Sequence, residues 1–369
     1  MRGVIASMPM VSSRHTTPRE KFRDRRSLAR ADHCSFRGAE NGQAARGAAL
    51  ADAPRRVFLT AMKIAMMGSG GVGGFFGGRM AKAGYDVTFV ARGKHLEAMR
   101  TNGLTIESAA QGDIHIPKVK ATDDPASIGP VDLVVLSVKL WDTDAAARAI
   151  APIVGTGTGV VSLQNGVIKD DILRRHFGRE RVMGGVGYVA THISRPGVIH
   201  QVGTMQRVVV GEYDGRPSER ARFLHEALAA SGVKAELSTD IRRAIWEKYV
   251  FLAALSGATT TMRLPLGPIR ANPRSRAFLH DLIREAVAVG RAQGVALPAD
   301  YADDRLAFAD SLPADMTSSM HHDLERGNPL EVEWLSGGVA DLGEAAGVPT
   351  PAHRAVRDIL APHAAGKAR

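Results

Sequence analysis

The stretch Lys63-Ile64-Ala65-Met66-Met67-Gly68-Ser69-Gly70-Gly71-Val72-Gly73 limits what this chain can fold into more than any other. A short apolar run ends in a Gly-x-Gly-x-x-Gly turn. Phe75 to Ala83 continue at helical spacing, Gly84 supplies a stop, and Asp86 to Val90 read as a second strand. Strand, glycine turn, helix and second strand, in that order, are the context a dinucleotide-binding turn requires. Gly68 permits the tight turn, Gly70 lets backbone approach a pyrophosphate, and Gly73 lets helix and strand pack closely. The phosphates then face unpaired N–H groups at the helix N-terminus. Gly68, Ser69, Gly70, Gly71, Val72 and Gly73 are therefore the first candidate cofactor residues.

Beyond the turn the chain alternates β-type runs with helical stretches. Ile114 to Lys120 reads as a small extra strand. Leu133 to Val138 is nearly continuous apolar sequence, as expected of a parallel strand covered on both faces. Asp144 to Ile150 is helical in pattern and Val160 to Leu163 is the next buried strand. Short strands are expected at Val182 to Val186, Gly197 to Gln201 and Val208 to Gly211, and a crossover helix over Glu219 to Ser231. Such alternation implies an α/β fold with a doubly wound Rossmann sheet. From Thr239 the spacing turns helical: Thr239 to Leu255, Arg274 to Gln293, Ala302 to Asp310 and Leu330 to Ala346, with stops at Gly294, Gly347 and Pro349. The expected organisation is a Rossmann domain over 63–238 and an all-helical domain over 239–365, with a site in the cleft between them.

A net charge of +10 suggests nucleic acid until it is located. Residues 1–62 hold twelve Lys or Arg against five Asp or Glu, so +7 sits there and +3 is spread over the remainder. Basicity thus says little about the folded part, and neither nucleic acid nor membrane is an expected partner. No apolar run approaches the ~18 residues of a membrane span. One cysteine, Cys34, excludes an internal disulfide framework and fits a reducing, cytoplasmic setting. Residues 1–62 lack a period and large apolar side chains, so disorder is expected, with Met62 as the natural start and the extension as upstream translation.

Ligands of open α/β sheets bind outside the carboxyl ends of the strands. Arg92 and Lys94 follow the second strand, where an acid would hold the ribose hydroxyl of NAD. Cations there suit a 2′-phosphate, which favours NADPH over NADH. Lys139 ends the strand from Leu133, as a solvated cation or as a cofactor contact. Asn165-Gly166 ends the strand from Val160, as an ordinary turn pair or as a ligand at the crevice mouth. Lys248 lies on the seam Ile241, Ile245, Leu252, Leu255. A lysine on a buried stripe loses hydration, which lowers its pKa and makes it a usable proton donor near neutrality. The rival is a packed stem with its head in water. Asn328-Pro329 looks like an N-cap with proline at the first helical position, so Glu331 fits a capping box, yet it shares a face with Leu335, Val339 and Leu342. Ser318 and Ser319 read alone as helix-start residues. His321-His322 lacks the carboxylate spacing of a metal site, so no metal is expected.

Taken together, these motifs resemble the 2-dehydropantoate 2-reductases (ketopantoate reductases) from Met62 to about Ala361. The resemblance rests on the Gly68 to Gly73 turn, Ala91-Arg92-Gly93, Ser137-Val138-Lys139 and Leu163-Gln164-Asn165-Gly166. It continues in Trp246-Glu247-Lys248, Ser318-Ser319-Met320, Leu330-Glu331 and Gly347-Val348-Pro349-Thr350-Pro351. It implies hydride transfer from NADPH to the C2 carbonyl of a 2-keto acid, giving pantoate for pantothenate and coenzyme A synthesis. It also implies a helical half like the C-terminal domain of 6-phosphogluconate dehydrogenase. Lys248 then matches the general acid, Asn165 an amide touching cofactor and substrate, and Ser319 a hydroxyl near the substrate carboxylate. Glu331, Arg92 and Lys139 match residues around the cofactor, and a Gly184 to Ala190 loop would bring Ala190 to the nicotinamide half.

The chain departs from the pattern where family members usually carry asparagine, one and two turns after the lysine. Here Leu252 and Ser256 stand there. A more apolar face leaves open a reductase of another branched or aromatic 2-keto acid, and an idle NADPH-binding sensor is a rival of a different class. The sequence leaves a homodimer open.

Overall fold

A computed structural model describes residues 62–367, so the expectations for the N-terminal extension and Cys34 lie outside the described residues. The first half of the fold is β1 (Lys63–Met67), α1 (Gly71–Lys82), β2 (Asp86–Val90), α2 (Gly93–Asn102), β3 (Leu104–Ser108), β4 (Ile114–Ile116) and β5 (Lys120–Thr122). Then come β6 (Leu133–Leu136), α3 (Thr143–Ile150), β7 (Gly159–Ser162), α4 (Lys169–Phe177), β8 (Val182–Arg195), β9 (Val198–Gly211), α5 (Glu219–Ala230) and β10 (Lys234–Leu237).

The strands form one sheet in the order β4-β3-β9-β8-β7-β6-β1-β2-β5, with β10 also on β9. From β5 to β8 every pairing is parallel, and the order reverses between β1 and β6. That is a doubly wound sheet with its switch point beside the glycine turn. All four residues of β6 are buried, as its unbroken apolar sequence requires of a central strand. Phe75, Phe76 and Met80 of α1 join Phe223 and Leu224 of α5 on one face. Ala146, Ala147 and Ile150 of α3 join Leu173 and Phe177 of α4 on the other.

Three expectations are corrected here. The runs at 182–186, 197–201 and 208–211 are parts of two 14-residue antiparallel strands, β8 and β9, joined at Pro196-Gly197 with Gly197 at φ +79°. The polar residues between the apolar runs pair just as well because backbone makes the ladder, and shifts at Val189/Thr191 and Ile193/Arg195 absorb the irregularity. The Gly184 to Ala190 segment is accordingly strand, with Ala190 exposed on it. Ile114 to Lys120 divides into β4, antiparallel to β3, and β5, parallel to β2.

The third concerns the last long helix. The helical part comprises α6 (Ile241–Met262), α7 (Leu266–Ala271), α8 (Pro273–Ala292), α9 (Tyr301–Ser311), α10 (Ser319–Arg326), α11 (Ser336–Ala345) and α12 (Pro351–Leu360). No helix starts at Pro329. Gly327, at φ +70°, closes α10, and Asn328 bonds back to Asp323 through its N–H and its side chain. Leu330 N–H donates to Ala364 O, which holds the segment away from helical geometry until Ser336. Glu331 is therefore not a capping-box residue.

The organising helix is α6, capped by Asp240, whose carboxylate accepts the Arg243 N–H at 3.0 Å. It runs two turns past Leu255 through Gly257, Thr259 and Thr260, poor helix formers that are buried all the same. Packing within the helical core outweighs their propensity. Ile241 and Ile245 pack against Val186 and Val209 of the sheet, whereas Tyr249 to Ala258 lie within the helical core. Lys248 falls where α6 passes from one environment to the other.

Candidate active site

Parallel strands end on the same edge, so their C-terminal loops converge. The glycine turn follows β1, Arg92 follows β2, Lys139 follows β6 and Asn165 follows β7. Gly68 adopts φ +95°, and a Cβ at Gly73 would lie 2.0 Å from Gly68 O, so this turn is closed to larger residues at both positions. Ser69 ties the turn to β2, its N–H and its Oγ both donating to Val90 O at 3.1 and 3.0 Å. His95 Nε2 contacts Ser69 O at 2.9 Å and the Gly197 N–H donates to its Nδ1 at 3.0 Å, so the ring links the turn to the β8–β9 corner. Burial pushes its pKa down despite the bond to Ser69 O.

Several observations fit a dinucleotide here. No side chain caps the N-terminus of α1, which leaves its first N–H groups for an anion. Nothing lies within 4 Å of a Cβ placed on Gly70, so that backbone is open to a ligand. Ser137 Oγ and Thr191 Oγ1, both beside the turn, are buried with no hydrogen-bond partner among the described residues. Arg92 and Lys94 are exposed and show no ion pair with another described residue.

On α6, Lys248 Nζ donates to Asn165 Oδ1 at 2.8 Å and to Gly187 O at 2.5 Å. It also stands 5.4 Å from the centre of the Tyr188 ring. Burial lowers its pKa to about 8. The like charge of Lys169 adds to this and the Glu331 carboxylate opposes it. Gln164 holds the Asn165 loop in place: its Nε2 donates to Thr143 Oγ1 at 2.8 Å and to Lys139 O at 3.3 Å. Beside Lys248 lies a cavity of about 10 Å³ lined by Asn165, Lys169, Val186, Ile245, Tyr249 and Leu252, among others. That is room for about one water. A roomier cavity, about 1010 Å³, lies elsewhere, around Tyr213, Arg216 and Arg242, and none of the candidate residues lines it.

Glu331 is buried, and its Oε1 accepts the Leu140 N–H at 3.1 Å. Its Oε2 lies 3.6 Å from Lys139 Nζ, which also bonds Asp323 Oδ2 at 2.9 Å. Burial pulls the Lys139 pKa down, but the two carboxylates outweigh it and the net shift is upward. Lys139 is thus neither a free cation nor exclusively a cofactor contact. The Tyr249 hydroxyl donates to Leu335 O at 2.7 Å, which anchors the turn carrying Glu331 to α6 next to Lys248.

The serines divide. Ser318 caps α10 through the His321 N–H at 3.1 Å and shares a hydrogen bond with Thr259 Oγ1, whereas Ser319 is exposed at the helix start. The sequence reading missed Tyr188 and Lys169. Tyr188 sits in the stretch mistaken for loop. Lys169 opens α4, where a lysine reads as solvated, and its burial comes from tertiary packing.

Comparisons with known proteins place the chain in a family. Two family models match: "Ketopantoate reductase PanE/ApbA" over residues 64–215 and "Ketopantoate reductase PanE/ApbA C terminal" over residues 240–364. The chain is 34% identical over 322 residues to a 2-dehydropantoate 2-reductase of Mesorhizobium japonicum, covering 80% of this chain and 95% of the relative. An uncharacterized oxidoreductase of Bacillus subtilis, YkpB, is 35% identical over 280 residues, 75% of this chain and 90% of the relative. A crystal structure of a PanE/ApbA family ketopantoate reductase from Ralstonia eutropha superposes with TM-score 0.75 at 35% identity, over 82% of this chain and 98% of the other. With both family models matched and relatives of 34–35% identity covered over most of their length, the chain belongs to the ketopantoate reductase family of nicotinamide-dependent oxidoreductases.

Proposed function

We propose that this protein reduces 2-dehydropantoate to pantoate with NADPH, in pantothenate and coenzyme A synthesis, and that Lys248 is its general acid. The observation that carries the reading is the Lys248 ammonium held on Asn165 Oδ1 and Gly187 O with its pKa near 8. The glycine turn would hold the phosphates of a reduced nicotinamide dinucleotide, which when bound would supply the hydride. Lys248 Nζ then gives its proton to the carbonyl oxygen as C2 becomes tetrahedral, and the alkoxide becomes a hydroxyl. Asn165 orients the ammonium, and Tyr188 covers one side of it. Ser319, exposed at the start of α10, and Glu331 complete the proposed substrate and cofactor surroundings. Arg92 and Lys94 favour a 2′-phosphate. The cleft between sheet and helices closes over the reactants and excludes water.

Leu252, on the cavity wall beside Lys248, favours a second reading in which the substrate is a different, more apolar 2-keto acid. A pocket without a polar partner separates such substrates poorly. NADPH oxidation measured with 2-dehydropantoate and a panel of branched and aromatic 2-keto acids decides. The highest kcat/KM is expected with 2-dehydropantoate. A tenfold higher value for another acid replaces the substrate, and no oxidation with any acid defeats the reductase reading.

A further inference from the structure

Lys169 is a fully buried lysine without a part in the mechanism above. Its position follows from the end of β7. That strand pairs with β8 only at Val160↔Val182 and Val161↔Met183, so the same edge of β8 has no ladder partner beyond Met183. Two lysines occupy the vacated edge: Lys169 Nζ donates to Gly185 O at 3.0 Å, and Lys248 Nζ donates to Gly187 O. Carbonyls two residues apart on a strand point the same way, about 7 Å apart. Both lysines also line the same small cavity.

Burial pulls the Lys169 pKa down and the Asp170 carboxylate opposes that, while its hydrogen bonds suit the charged form. Lys169 Nζ donates to Ser162 O at 2.9 Å, to Gly185 O and to the Asp170 carboxylate at 3.1 and 3.2 Å, which uses all three N–H bonds of the charged form. Asp170 in turn accepts from the Tyr213 hydroxyl at 2.5 Å and does not line the cavity. The lysine of the pair thus borders the cavity it shares with Lys248, and the carboxylate does not.

We propose that Lys169 is a positioning residue for the proton transfer, a fixed buried cation whose charge keeps Lys248 ready to release its proton. The inference rests on Lys248 being the general acid. The other groups facing Lys248 are Asn165 from the β7 loop, the Tyr188 ring from β8 and Glu331 from the segment before α11. Only Glu331 is charged at neutral pH, and it acts in the opposite sense. Like charges in a low-dielectric site disfavour each other's protonation, so removing one makes the other a weaker acid.

The test is the titration of Lys248 in the cofactor-free protein, followed by ¹³Cε-lysine NMR and assigned by the signal lost in Lys248→Arg. A midpoint near 8 is expected for the native chain. Lys169→Met should raise it by ~1 pH unit, and Lys169→Arg should leave it within a few tenths. The alkaline limb of kcat/KM should move with it. Should Lys169→Met fail to fold, Lys169→Met/Asp170→Asn leaves no unpaired buried charge and should still raise the midpoint by about half a unit. An unmoved midpoint overturns the proposal, as does a Lys169→Arg shift equal to that of Lys169→Met, which would assign packing rather than charge. Full turnover in Lys248→Ala would remove the general-acid reading while leaving the NMR shift intact, so the two failures are distinguishable.

Discussion

The two halves of the candidate site are built in opposite ways. The glycine turn is local: six consecutive residues, closed by Gly68 and Gly73 and steadied by β2 and the β8–β9 corner. The Lys248 side is assembled from separated stretches: Asn165 and Gly187 bond the ammonium, and the charges of Lys169 and Glu331 act on it without touching it. A local site can be written in a motif, whereas an assembled one exists only after folding. Damage to the first should therefore appear as lost cofactor affinity, and damage to the second as lost turnover with the cofactor still bound.

Lys248→Ala carries the largest expected effect, a fall in kcat/KM of ~10²–10⁴, with NADPH affinity unchanged by fluorescence titration. An equal loss in NADPH affinity would erase the contrast. Gly73→Ala places a methyl group 2.0 Å from Gly68 O and should cost about 1–3 kcal/mol or more in denaturant unfolding, together with most NADPH binding. Because a general acid must be protonated, kcat/KM should be level below about pH 8 and fall tenfold per unit above it. A flat profile to pH 10 would detach Lys248 from the chemistry. Arg92→Ser should weaken NADPH about tenfold and leave NADH nearly unchanged, since a charge-assisted bond is worth about 1.5–3 kcal/mol. Equal weakening of both would move Arg92 away from the 2′-phosphate.

The same contrast explains what could be read in advance. The turn, the order β1-α1-β2 and the apolar run of β6 are local patterns, legible residue by residue. So was the seam on α6, because helical period alone places Lys248 beside Ile245 and Leu252. Glu331 points inward as expected, but for another reason: a turn pinned by Ala364 and Tyr249 replaces the expected helix. The sheet residues β3 and β10 add carried an alternating signal too short to separate from loop. Lys169 carried none, since a missing strand neighbour creates its place.

The long hairpin has one more consequence. Gly187, whose carbonyl accepts from Lys248, and Thr191, which packs on Gly71 of the glycine turn, lie on the same strand. Four residues of extended chain span at most ~13 Å, and the register shift at Val189/Thr191 shortens that. On the proposed mechanism that strand is a ruler: the separation between the dinucleotide's anchor and the departing proton is counted in residues of β8, and an inserted pair there would lengthen it.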